Sequence, residues 1–347
     1  MQRRDFIKSL TLAGVAASMG NEVETGVQAD AQTAAKTPAH SALKRPESPD
    51  MPYRELGRTG ERVSLIGLGG AHIGFGGEDD SITLMRRAAD SGMTFFDNSW
   101  DYGNGRSEER MGKALKDGYR QKVFLMTKTD SHTAAGWNKQ LETSLSRLQT
   151  DMIDLVQIHE VIRMTDPEAV FAPGGAMEAA IAAKKAGKIR YIGFTGHKDP
   201  SIHLHMIETA EKHGFHFDTA QMPINIMDAH FRSFQHQVIP VCNRKGIGVL
   251  AMKTFAFGAI IKANVADPID MLHYSMTLPV SVVITGMDTM PRLDQALTAA
   301  KTFKPMTPEQ VATLLAKSKD LAADGHLELF KTSPSFDGTT RNPEYLS

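Results

Sequence analysis

Between about residue 65 and residue 302 the chain alternates two kinds of stretch. Short runs at 65–69, 93–96, 123–127, 153–158, 189–194, 217–221, 248–252 and 280–284 read as strands, and the apolar run at 93–96 reads as one covered on both sides. Between them lie segments with helical spacing, at 81–90, 107–116, 135–148, 175–186, 200–213, 233–246, 268–278 and 291–302. In the first of these Ile82, Met85 and Ala89 share one face, and Gly92 stops it; Gly187 closes the alanine-rich fourth. Ser107, followed by Glu108 and Glu109, reads as an N-cap with acids in the first helical turn. Eight strand-helix repeats predict a closed α/β barrel of the (β/α)8 TIM type rather than an open doubly wound sheet. Gly67-Leu-Gly69-Gly70 after the first strand is too compact for the glycine fingerprint of a dinucleotide-binding open sheet.

The flanks of this repeat behave differently. Residues 53–64 read as an N-terminal hairpin turning around Gly57 to Gly60. Residues 307–323 form one extra helix with Pro308 in its first turn. The last stretch, 331–347, carries Pro334, Gly338 and Pro343 without periodicity and reads as a C-terminal loop, so the barrel domain is assigned to 53–330. At the other end, Arg3 and Arg4 precede Phe6 and Lys8, and a mildly apolar stretch, too short to span a bilayer, follows up to Met19. That layout predicts a twin-arginine export signal over 1–31, with Ala29-Asp-Ala31 as a small-residue cleavage site. Residues 32–52 read as a flexible linker. The expectation is a protein recognised by the twin-arginine machinery and exported, periplasmic in the simplest case and cytoplasmic if the signal is unused, without stable membrane insertion after processing.

Charge and cysteine usage narrow the partners. With 39 basic and 40 acidic residues the formal net charge is -1, which implies no nucleic-acid stripe and no basic membrane face. The single cysteine, Cys242, excludes an internal disulfide and a multi-cysteine metal or iron-sulfur site.

The candidate chemistry sits where apolar runs end. Asp97 closes the second run, Tyr102 follows in a loop between polar residues and Gly103 and Gly105, Lys128 closes the third run, and His159 the fourth. A parallel barrel directs all of these ends into one mouth. In this order, with Ser107-Glu-Glu-x-x-Gly112 and Asp154-Leu-Val-Gln-Ile-His159 around them, the four residues resemble the catalytic tetrad of the aldo-keto reductase family, over about residues 53–303.

The resemblance implies reduction of aldehyde or ketone carbonyls with a nicotinamide cofactor, Tyr102 being the proton donor. The residue types suit that chemistry. An unperturbed phenol has a pKa of about 10, and a neighbouring ammonium such as Lys128 favours the phenolate left after donation. Asp97 would hold that ammonium, His159 would hydrogen-bond the carbonyl, and hydride must come from a cofactor. The resemblance places Gln221 at the nicotinamide amide. Thr195 keeps a hydroxyl where most members have serine, His197 stands near the missing amide, and Met252 replaces the ring-stacking tyrosine. Gly286 and Arg292 fall at the adenosine end, Arg292 where an arginine would meet a 2′-phosphate, so the expected cofactor is NADP, with NAD as the alternative.

Two other classes compete with a reductase acting on a small-molecule carbonyl. An exported nicotinamide-binding sensor or docking module would bind the nucleotide without useful turnover. A metal-dependent barrel hydrolase would need clustered ligands, whereas His203, His205 and His213 follow helical spacing, so no metal site is assigned.

Overall fold

The computed structural model describes residues 43–347, so the export signal and residues 32–42 of the linker lie outside the described residues. A hairpin of β1 (Tyr53–Glu55) and β2 (Arg62–Ser64) precedes eight parallel strands: β3 (Ile66–Gly69), β4 (Phe95–Asp97), β5 (Phe124–Thr129), β6 (Ile153–Ile158), β7 (Ile189–Thr195), β8 (Thr219–Pro223), β9 (Gly248–Met252) and β10 (Val282–Gly286). They close in chain order, β10 pairing back onto β3 with Val283 opposite Ile66, as the eightfold repeat predicts.

Strand side chains serve two cores because alternate residues face opposite ways. Inside the barrel Phe95, Phe124, Met126, Leu155, Tyr191, Leu250 and Val282 pack together, and Leu56 and Val63 of the hairpin join them from below. Phe95 stacks on Phe124 with ring centroids 5.3 Å apart. The outward residues, among them Phe96, Leu125, Val156 and Phe194, pack under the helices. Among the described residues the hairpin thus plugs the N-terminal end of the barrel and leaves its C-terminal mouth open.

The base of the barrel also holds a charge cluster that the apolar pattern does not announce. Asp154 accepts from Arg45 (2.9 Å), Arg120 (2.9 Å) and Arg190 (2.7 Å), and Glu61 from Arg45 (2.6 Å) and from Arg190. Glu61, Asp154 and Arg190 are buried, and the side chain of Arg45 is only 2% exposed. Residues from 43 onward are therefore not linker: Arg45 is sealed into the barrel base, 16 positions from Glu61 and 109 from Asp154. Composition hides this, since one buried arginine decides it.

Other boundaries move for local reasons. Lys128 and Thr195 extend β5 and β7 because their backbones still pair, Lys128 with Gln157 and Thr195 with Gln221. The helix expected over 233–246 is two, Phe234–Gln237 and Ile239–Lys245, with Pro240 starting the second. Ser107 is not an N-cap. Gly105, at φ 90°, takes that position before the helix Arg106–Ala114, and Ser107 donates its hydroxyl to the Gly70 carbonyl at 2.8 Å. Glu108 is buried and accepts from Thr127 at 2.6 Å instead of facing solvent in the first turn. Thr307 does cap the helix Pro308–Ala322, in a reciprocal pair with Gln310.

The C-terminal stretch is not a loop. It folds into short helical turns at Leu329–Thr332, Pro334–Phe336, Gly338–Arg341 and Pro343–Leu346. They are fixed to the mouth loops by polar contacts: Glu160 accepts from the amides of Gly338 (2.9 Å) and Thr339 (2.7 Å), and Gln140 donates to the Tyr345 carbonyl at 3.0 Å. Lys331 is buried, donating to Asp228 at 2.7 Å and Glu328 at 2.9 Å. These partners are remote in sequence, which is why periodicity misses the segment.

Candidate active site

The loop after β4 carries the phenol into the mouth. Gly103, Asn104 and Gly105 all adopt positive φ (60°, 57° and 90°), turning the chain sharply into the helix that follows. At Gly105 a side chain has no room, since a Cβ would stand 2.3 Å from the Arg147 guanidinium carbon. That arginine donates to the Trp100 carbonyl at 2.6 Å, so the close approach holds the loop in place.

Lys128 organises the centre. Its ammonium donates to Asp97 (2.5 Å), to the Asn98 carbonyl (2.7 Å) and to the Tyr102 hydroxyl oxygen (3.1 Å). Three N–H bonds thus meet three acceptors. Because the tyrosine oxygen accepts from the ammonium, its own O–H is free to point into the cleft. His159 lies beside it, with its ring edge-on to Tyr102 at a centroid distance of 6.0 Å. The four residues that the sequence picks out therefore converge.

The electrostatics of the phenol differ from the simple expectation. Burial first, then the carboxylates Asp97, Asp101, Glu160 and Asp130, push the Tyr102 pKa well above its ordinary value. The phenol keeps its proton in the resting protein, and the ammonium at 3.1 Å is the group that offsets the cost of releasing it.

The cleft beside this centre is lined by Gly69, His72, Asp97, Tyr102, Met252 and Lys253, and further out by Thr285, Gly286, Asp288 and Arg292. Of the residues expected at the cofactor, Met252, Gly286 and Arg292 line this cleft. Thr195 and Gln221 are buried and do not line it; the Thr195 hydroxyl sits 4.0 Å from the Met252 sulfur, and neither amide atom of Gln221 is partnered. An unpartnered buried amide calls for a ligand that both donates and accepts. At Gly286 a Cβ would come within 2.5 Å of the His72 ring, so a larger residue there would displace that imidazole. Arg292 is exposed and paired with Asp288 at 3.0 Å.

His197 does not replace the missing amide. Its Nε2 lies 3.1 Å from Asp337 of the C-terminal segment, and burial drives its pKa down to about 3. The sequence reading also misses residues that the mouth gathers from other loops. Asp130 stands 2.7 Å from His159 Nδ1, and Asp101 lies 3.9 Å from the same nitrogen. Lys253, one residue beyond β9, faces the cleft with its Nζ 4.7 Å from the Phe257 ring centre, and burial lowers its pKa to about 8. An acid two residues beyond Lys128 is the one local signal for Asp130.

A parallel barrel with a hydrogen-bonded carboxylate, ammonium and phenol at its C-terminal mouth defines a class of oxidoreductase barrel. The Aldo/keto reductase family profile matches residues 65–313, and the chain belongs to that family. Aldo-keto reductase AMT2 of Alternaria alternata is 30% identical over 268 residues, covering 65% of this chain and 70% of that protein. Aldo-keto reductase YhdN of Bacillus subtilis is 34% identical over 234 residues, covering 60% of this chain and 64% of that protein, so the match spans less than two thirds of its length. Among solved structures, the thermostable aldo-keto reductase Tm1743, in complex with the inhibitor epalrestat, superposes with a TM-score of 0.63 at 25% identity, over 77% of this chain and all of that one. The holo form of aldo-keto reductase AKR11C1 from Bacillus halodurans shares the fold, with a TM-score of 0.65 at 22% identity over 77% of this chain and 96% of that one.

Proposed function

We propose that the protein reduces aldehyde or ketone carbonyls on small molecules to alcohols by hydride transfer, with Tyr102 as proton donor. The observation that carries this reading is the Lys128 ammonium shared between Asp97 and the Tyr102 oxygen at the edge of a cleft. A reduced nicotinamide bound in that cleft would supply the hydride. The residues fit such a group: the orphaned amide of Gln221 complements a carboxamide, Met252 offers a polarizable surface to a flat ring, and Gly286 and Arg292 suit a phosphate-bearing end.

As the carbonyl carbon accepts hydride, the π-electron pair moves to oxygen and the Tyr102 proton follows it. Lys128 then holds the phenolate, and Asp97 keeps the ammonium in register. His159 Nε2, which has no partner among the described residues, is the second donor available to the developing oxyanion.

We assign NADP as the preferred cofactor because Arg292 supplies a cation at the outer cleft, while Asp288 beside it is the feature that favours an unphosphorylated ribose and NAD. Replacing Arg292 by Ala should weaken NADPH binding about 10-fold and leave NADH within about twofold, read by fluorescence titration, since one charge-assisted phosphate contact is worth roughly 1.5–3 kcal/mol. Equal losses for both nucleotides would remove the assignment.

Export through the twin-arginine route, with a signal over 1–31, remains part of the proposal on the strength of Arg3, Arg4, Phe6 and Lys8. Fractionation of cells expressing the full chain and an Arg3→Lys, Arg4→Lys variant tests it; an unchanged location would refute it. Purified protein titrated with NADPH and NADH and then offered a panel of aldehydes tests the enzymatic reading. Turnover supports it, and nucleotide binding without turnover on any aldehyde would favour the sensor.

A further inference from the structure

His159 can face a carbonyl as a donor only when its outer ring nitrogen, Nε2, bears hydrogen. His159 Nδ1 is 2.7 Å from Asp130 Oδ1 and 3.3 Å from the Ser99 hydroxyl. The other carboxylate oxygen of Asp130 accepts from the Trp100 indole N–H at 2.6 Å, and the Asp130 amide donates to Gln140 at 2.8 Å. Carboxylate and ring are both buried. The carboxyl group is therefore clamped on one side, and its free oxygen is committed to the imidazole.

We propose that Asp130 is a positioning residue for the reduction, and that the proton count of the His159–Asp130 pair decides whether Nε2 presents an N–H or a lone pair to the substrate oxygen. With one proton on the pair, it bridges Nδ1 and Oδ1, and Nε2 is an acceptor suited to an alcohol O–H. With a second proton, Nε2–H is a donor suited to a carbonyl. The two states differ by that proton alone, and no bond to carbon changes within the pair. The inference rests on the reductase reading above.

The surroundings place the switch within reach of ordinary pH. Burial raises the Asp130 pKa to about 7 against the opposing Trp100 hydrogen bond and the Lys128 charge, and burial lowers that of His159. Facing the pair are Asp101 from the loop after β4, Lys128 from β5, Glu160 after β6 and Lys253 after β9; the acids favour the imidazolium and the lysines oppose it. Tyr345 of the C-terminal segment closes over Trp100 with ring centroids 5.0 Å apart. Since the raised carboxyl pKa keeps the second proton on below about pH 7, reduction is favoured below that pH and alcohol oxidation above it.

Asp130→Asn separates this from a structural role. The Trp100 N–H fixes the amide oxygen, so the amide nitrogen donates to Nδ1 and Nε2–H is locked as a donor at every pH. The expected result is that wild-type kcat/KM for reduction falls about tenfold per pH unit above the midpoint, whereas the variant profile stays flat and its alcohol oxidation drops at least about tenfold, with NADPH affinity unchanged. Nitrogen NMR of His159 reads the same switch without turnover: Nε2 should lose its proton through about pH 7 in the wild type and keep it in the variant. A uniform loss in both directions, or the same His159 titration in both proteins, would overturn the proposal. Wild-type protein that reduces no carbonyl would overturn the reductase reading, and the NMR result would still decide the pair.

Discussion

Tyr102→Phe should lower kcat for carbonyl reduction by about 10²- to 10⁴-fold, the usual contribution of a positioned general acid, while NADPH affinity stays within about twofold. The ring of phenylalanine fills the same space, and the contacts of Lys128 with Asp97 and the Asn98 carbonyl survive. Only the O–H that points into the cleft disappears. Because burial and four nearby carboxylates hold the phenol pKa high, hydroxide in solution at neutral pH does not draw its proton; the oxyanion formed on the substrate does. Single-turnover measurements with a reactive aldehyde would isolate the chemical step. A variant that keeps near-full turnover would eliminate Tyr102 as donor and leave the ammonium beside it without a catalytic purpose.

The largest effect on stability is expected at the opposite end of the barrel. Asp154→Asn removes the charge that faces Arg45, Arg120 and Arg190, leaving Glu61 as the carboxylate partner for Arg45 and Arg190. Breaking one member of a buried charge cluster costs about 3–5 kcal/mol, which chemical denaturation would read as a fall in midpoint at constant m. The pH dependence has a defined sign. Burial alone would raise the Asp154 pKa, yet Arg120 and Arg45 outweigh it and the folded value lies below the ordinary carboxylate range. The contribution is thus complete above about pH 4 and fades as pH falls through the lowered value. The gap between wild type and Asp154→Asn should narrow in that acid window. A gap that stays constant down to pH 2 would show that shape, not charge, holds the base.

Both predictions depend on partners far apart in the chain. Asp97, Tyr102, Lys128 and His159 were legible in the sequence because each ends or follows an apolar run, and a parallel barrel gathers such ends. Asp130 also follows one of those runs, but its meaning lies in a contact with His159, 29 positions away, which no local pattern encodes. His197 shows the reverse case. Its neighbours suggested a ligand contact, and the C-terminal segment claims it through Asp337, 140 positions on.

The sequence by itself determined the barrel, its N-terminal hairpin, the order of its strands and the four residues at its mouth. Backbone periodicity and glycine placement are local constraints, and an eightfold strand-helix repeat buries both faces of every strand when its sheet closes on itself. Only the tertiary structure decided that Arg45 belongs to the folded body, that residues 329–346 are built onto the mouth, and that His159 shares its ring nitrogen with a carboxylate. Those outcomes come from buried charges seeking partners wherever the fold brings them, and desolvation makes such pairing compulsory at any separation along the chain.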